Sequence, residues 1–241
     1  MKKGKFIISM TPIYALILTG LIVVSGTFNH VVTTLSVTTS SGNRRTVIID
    51  PGHGGEDGGA TSCTGVLESE FNLNIALRLN DMMHLLGMRT IMIRNTDRSV
   101  YIRGETIAQK KVSDLQERVR IINETDNALV ISIHQNTFPD GRYWGAQVFY
   151  PNTSGSKELA ALMQNQLQSS LMPLNNRKSK LSSGVYLMEH IQCVGLLIEC
   201  GFLSNPEEEA RLRDRNYQKA LCAVIGSVCS QYISQQNEDV L

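Results

Sequence analysis

Residues 47–60 read VIIDPGHGGEDGGA. A short apolar run of strand type breaks at Asp50 and Pro51 into a turn that carries His53 among five glycines. Glycine-rich turns after strands commonly cradle phosphate, and the spacing tests that reading. A dinucleotide fingerprint needs glycines at n, n+2 and n+5, and counting from Gly52 through Gly54 the third position is Asp57; a P-loop needs Gly-Lys-Ser/Thr, which the stretch lacks. Turn chemistry alone accounts for Pro51 and the glycines. A second residue must join His53 before a site is in view.

Outward from this stretch, strand-like and helical patterns alternate, which predicts an α/β fold: one domain with a mostly parallel central sheet flanked by helices. Strands are expected at 46–50 (TVIID), 89–94 (RTIMIR), 128–134 (ALVISIH), 145–150 (GAQVFY), 185–188 (VYLM) and 196–200 (LLIEC). Phe71, Ile75, Leu79, Met82 and Leu86 recur at helical spacing, so 69–86 is an amphipathic helix stopped at Gly87. After a polar loop, a helix is expected near 113–125 with Ser113 or Asp114 as its cap. A helix is expected at 156–171, and the C-terminal part 206–233 is expected to be helical, its first helix opened by Pro206 and three glutamates suited to the helix dipole.

In this arrangement His134 ends a buried strand just as His53 follows one. Parallel strands end on one rim, where α/β folds build their sites. Glu199 stands at the end of LLIEC, and Glu68 opens the helix that follows the first strand, so both carboxylates can reach the same rim. Two imidazoles and one carboxylate with a fourth position open are what catalytic zinc uses, and the remaining carboxylate is then free to act as a base. The compact HExxH arrangement is absent. Taken singly, each residue also fits a satisfied polar group at a strand end.

The ends of the chain carry other information. Lys2, Lys3 and Lys5 precede a run over 7–28 without a charge, an export signal long enough to remain as a membrane anchor, with Val-Ser-Gly at 24–26 as a possible cleavage point. The basic start places everything after it outside the cytoplasmic membrane. The expected organisation is a signal or anchor over 1–29, a Thr/Ser-rich tether over 30–44, a catalytic domain over 45–235 and a tail over 236–241. A net charge of +1 and a pI near 7.7 give no field that would favour nucleic acid as a partner. Five cysteines without a CxxC pair argue against both a disulfide framework and a zinc knuckle.

The ordered blocks IIDPGHGGEDGGA, ESEFNLNIA, ISIHQN and LLIECGFLSN resemble those of the zinc-dependent N-acetylmuramoyl-L-alanine amidases of the exported bacterial type, over about residues 45–233. The resemblance implies that His53, Glu68 and His134 bind Zn2+ and that Glu199 is catalytic. The substrate implied is peptidoglycan, cut at the amide between N-acetylmuramic acid and L-alanine. KKVSDLQERVRIIN (110–123), NNRKSK (175–180) and ECGFLSNPEEEARLRDRNYQKA (199–220) are similar to the germination-specific amidases of endospore formers, which act on the spore cortex. That likeness implies a route to muramic lactam and a lipoprotein partner. Two departures, Val194 where many relatives have proline and Ser69 where many have a basic residue, touch no implied ligand.

Asn136, two residues past His134, and Arg118, on a helix facing the rim, are candidates to orient substrate. Cys200 alternates away from Glu199 and reads as core. His84 and His190 read as surface or structural. A peptidoglycan-binding module without catalysis and a zinc carboxypeptidase acting on stem peptides are the rival readings. A retained general base beside an open metal position speaks against the first.

Overall fold

The computed structural model describes residues 45–238, so the expected export segment and tether lie outside the described residues. Among the described residues no helix is long and apolar enough to cross a membrane. Six strands form one sheet: β1 (Thr46–Pro51), β2 (Arg89–Met92), β3 (Ala128–Asn136), β4 (Gln147–Tyr150), β5 (Lys180–Leu181) and β6 (Val194–Phe202), in the order β2-β1-β3-β6-β4-β5. Every neighbouring pair is parallel except β4 with β6. The helices are α1 (Glu68–Leu85), α2 (Ile107–Asn123), α3 (Ser156–Leu171), α4 (Tyr186–His190), α5 (Pro206–Arg213) and α6 (Arg215–Glu238).

Central strands that are apolar at successive positions must be covered on both faces, and alternation divides them cleanly. Val47, Ile49, Leu129, Ile131, Ile133, Leu196 and Ile198 join the larger core with Phe71, Ile75, Leu79 and Met83 of α1, Leu159, Met163 and Leu167 of α3, and Leu221, Ile225 and Cys229 of α6. Ile48, Val130 and Leu197 face the other way, into a smaller core closed by Ile122 of α2 and Leu187 and Met188 of α4. By the same parity Asp50, Ser132, His134 and Glu199 belong to the thinly covered face. Cys200, fully buried in the larger core, is structural as its alternation predicts.

Several local expectations are corrected. VYLM at 185–188 lies largely within α4, not in a strand, because a four-residue apolar run has no periodicity to tell one from the other. The helix expected from 113 begins at Ile107, where Thr106 and Gln109 form a reciprocal capping box. Ser113 and Asp114 are interior instead, and their side chains accept hydrogen bonds from the backbone of Val100, Ile102 and Arg103. Met83 takes the buried place expected for Met82, and Leu86 is 44% exposed. The C-terminal part is helical as expected, in two helices that meet at Asp214, but the second runs past 233 to Glu238.

Candidate metal centre

The site is built where β1 ends. Gly52 N still donates to Ile133 O at 3.0 Å, continuing the ladder, and the chain then turns sharply, with His53 in the left-handed region at φ 60°. That conformation is uncommon outside glycine and is kept only where surrounding contacts hold it. The His53 ring is held at both nitrogens: Nδ1 lies 2.9 Å from Asp57 Oδ2, and Nε2 lies 3.2 Å from Glu68 Oε2.

Glu68 is the first residue of α1, where the helix dipole favours an anion. The residue is 4% exposed, and its carboxylate is crowded with donors. Oε1 meets His134 Nδ1 at 2.9 Å, Gln135 N at 3.1 Å and Asn72 Nδ2 at 3.2 Å, and Oε2 accepts from Ala60 N at 3.0 Å. The two imidazoles meet edge to face with ring centroids 5.0 Å apart. One donor atom each from His53, Glu68 and His134 falls within 4.8 Å of the others.

The motif's glycines make room for these side chains. A Cβ at Gly52 would lie 2.2 Å from Cε1 and Nε2 of His134. At Gly59, whose φ is +69°, a Cβ would come within 2.7 Å of both Glu68 Oε2 and His53 Cδ2.

Glu199 sits on β6 opposite His134 in register. Its Oε2 is sealed from solvent and has no hydrogen-bond partner among the described residues. Burial, the largest influence, pushes this carboxyl up to about 7. Glu68 behaves oppositely: burial works against its ionised form, but the hydrogen bonds from His134 and His53 hold it far below the ordinary carboxylate range. Burial would lower His53, yet the bonds to Asp57 and Glu68 raise it to about 9. Asp57 is correspondingly depressed by its bond to His53 and by Lys111.

Two carboxylates thus flank His53 and favour positive charge at this point. A divalent cation satisfies the same electrostatic demand. Two borderline nitrogen donors and one carboxylate oxygen suit zinc, and Asp57 supplies the outer carboxylate that commonly fixes the tautomer of a metal-bound histidine. The donor set therefore fits Zn2+.

Arg118 does not take the place expected of it. It is 2% exposed, and its guanidinium is spent inward on Asp50, on Asp114 Oδ2 (2.6 Å) and on backbone carbonyls beneath the His53 turn. It has no free face to offer a substrate, because the side of α2 that carries it packs under the loop. Asn136 ends β3 after a register shift that pairs it with Phe202, so simple alternation with His134 no longer fixes its side. His84 bonds Thr90 Oγ1 at 2.7 Å and His190 stacks on Tyr186; neither joins the donor cluster.

Sequence reasoning passed over Asp57, four residues after His53, since a glycine-rich loop has no periodicity to show where a side chain points. It also passed over Asp50, which accepts from Ser132 Oγ at 2.6 Å and from Arg118. The only available signal for Asp50 was an acidic residue on an otherwise apolar strand.

The family model described as N-acetylmuramoyl-L-alanine amidase matches residues 47–228. The germination-specific N-acetylmuramoyl-L-alanine amidase of Bacillus subtilis is 36% identical over 194 residues, covering 80% of this chain and 81% of that protein. Among solved structures, the CwlD amidase from Clostridioides difficile in complex with the GerS lipoprotein superposes with a TM-score of 0.75 at 36% identity, over 79% of this chain and 98% of that one. An N-acetylmuramoyl-L-alanine amidase from Clostridium difficile gives a TM-score of 0.68 at 31% identity, over 80% and 98% of the two chains.

Proposed function

The chain belongs to the N-acetylmuramoyl-L-alanine amidase family, and from that membership we propose that it is a zinc-dependent enzyme of the spore cortex, acting through His53, Glu68, His134 and Glu199. Its activity is hydrolysis of the amide between N-acetylmuramic acid and L-alanine in peptidoglycan. His53, Glu68 and His134 would hold the ion, which when bound supplies polarisation of the scissile carbonyl and acidification of water. Glu199 accepts the proton of the attacking water as its oxygen bonds to the lactyl carbonyl carbon. It then delivers that proton to the alanine nitrogen as the C–N bond breaks, leaving a lactyl carboxylic acid, whose own proton ends on the amine, and a stem peptide with a free N-terminus. A carboxyl held among buried side chains, which disfavour its ionised form, is suited to taking up a proton and handing it on. Asp57 holds the His53 tautomer, and Asn136, at the end of β3, is the candidate for orienting the glycan side of the substrate.

The observation that carries the reading is the convergence of His53, Glu68 and His134 from three separate segments, with Glu199 opposite His134 and its Oε2 unpartnered among the described residues. Export through the segment over 7–28 would put the enzyme outside the cytoplasmic membrane. The solved relative's complex with a lipoprotein supports a lipoprotein partner for this chain too. Removal of stem peptides in the cortex would begin muramic lactam formation, as the likeness to the germination-specific amidase suggests.

Metal analysis of the purified full chain, with mass spectrometry of a peptidoglycan digest, tests the chemistry. Bound zinc and released intact stem peptides are expected; cleavage within the stem would instead mark a carboxypeptidase. Muropeptides of spores with and without the protein test the setting, and unchanged muramic lactam would remove the cortex role.

A further inference from the structure

Arg94, just after β2, is 1% exposed, and each of its hydrogen bonds goes to a backbone carbonyl. Nε donates to Pro51 O at 3.0 Å, Nη2 to Gly52 O at 2.8 Å and Ser69 O at 2.9 Å, and Nη1 to Thr96 O at 3.2 Å. Arg118 adds Nη1 to Pro51 O at 2.9 Å and Nη2 to His53 O at 2.7 Å. Three successive carbonyls therefore each accept from a buried guanidinium, and Pro51 accepts from both.

This arrangement is costly. Arg118 is balanced by Asp50 and Asp114, but Arg94 has no carboxylate among these partners, and burial together with the like charge of Arg118 pulls it down to about 10. A buried cation without a bonded counter-ion does not stabilise a fold as apolar packing would, so its value lies in what it holds. What it holds is the turn that places His53 at positive φ. Gly54 lets the side chain through, since a Cβ there would lie 2.8 Å from Arg94 Nε.

We propose that Arg94 and Arg118 are positioning residues for the metal centre, a pair of forks that fix the backbone of Pro51, Gly52 and His53 and so aim His53 Nε2 at Glu68. The inference rests on His53 being a metal ligand. Neither arginine bonds a donor atom of the cluster; both act through the backbone. A lysine keeps the charge but cannot span two carbonyls in one plane.

The full chain carrying Arg94→Lys or Arg118→Lys is titrated with zinc against a chelator. Affinity falls by about 10- to 100-fold, the range typical for groups that orient a ligand. In the metal-free protein, hydrogen exchange quickens at Gly54 and Asp57, whose amides close the turn on each other at 2.8 and 3.2 Å. Arg94→Gln, neutral and spared the cost of burying a charge, gives the same two results where a lysine variant does not fold. Leu167→Ala, in the core on the opposite face, lowers the melting temperature and leaves both readouts unchanged. The inference is overturned if the variants bind zinc within about twofold of the parent, if exchange at the turn is unaltered, or if Leu167→Ala weakens zinc equally. A parent chain that takes up no zinc would instead end the proposed function, and the exchange measurement separates the two outcomes.

Discussion

Replacing Glu199 by glutamine should make the protein at once inactive and more stable. Burial raises the Glu199 carboxyl from 4.5 to about 7 in the metal-free site. Below about pH 4.5 both folded and unfolded states hold the proton, and the side chain contributes no pH dependence. Between about 4.5 and 7 the unfolded chain ionises while the folded one stays protonated, so stability falls as pH rises. Above about 7 the folded state carries the full penalty of a buried carboxylate, which for this displacement is about 3 kcal/mol.

Glutamine removes the penalty but leaves an amide hydrogen short of a partner, which takes back about 1–2 kcal/mol. The net gain expected is about 1–2 kcal/mol above pH 7, with a flatter pH profile. Urea denaturation of the chelator-treated protein between pH 4.5 and 8 measures it. Turnover on peptidoglycan should drop by about 10²- to 10⁴-fold, the usual worth of a general acid–base group, with zinc content unchanged. A variant that keeps near-parental turnover, or that shows the parent's pH slope, would refute the role given to this half-buried carboxylate.

Asp57→Asn should cost about 10- to 100-fold in zinc affinity by loosening the His53 ring, measured by chelator competition. Gly52→Ala puts a methyl 2.2 Å from the His134 ring and should abolish stoichiometric zinc binding, read by metal analysis. His53 holds its proton up to about 9, so zinc uptake near neutral pH should release a proton, and the calorimetric heat should vary with buffer ionisation enthalpy. In the metal-free chain the same proton stabilises the fold below about pH 6.5, and that contribution is lost as pH rises through about 9.

Much of this site was legible because chemistry and periodicity agreed. His134 and Glu199 lie late in apolar strands, two and three residues before their ends, with a parity that sends them to one face, and Glu68 opens a helix with a clear apolar stripe. Where the pattern carried no period the reading slipped: VYLM looked like a strand, and the capping box at Thr106 and Gln109 was overlooked in favour of Ser113 and Asp114. Arg118 shows a different limit. A charged residue on an amphipathic helix reads as solvent-facing until its counter-ions are known, and Asp50 lies 68 residues away in sequence. No local pattern announces a partner at that range.

The carboxylate of Glu68 ties its helix to the His53 turn, to β3 and to the loop at Ala60, and this sets the order in which such an enzyme can decay. A descendant released from selection for catalysis can discard Glu199 and gain stability from the first step. Discarding Glu68 would unfasten several segments at once. Inactive copies of this fold should therefore be found with the glutamate of α1 intact and the glutamate of β6 gone.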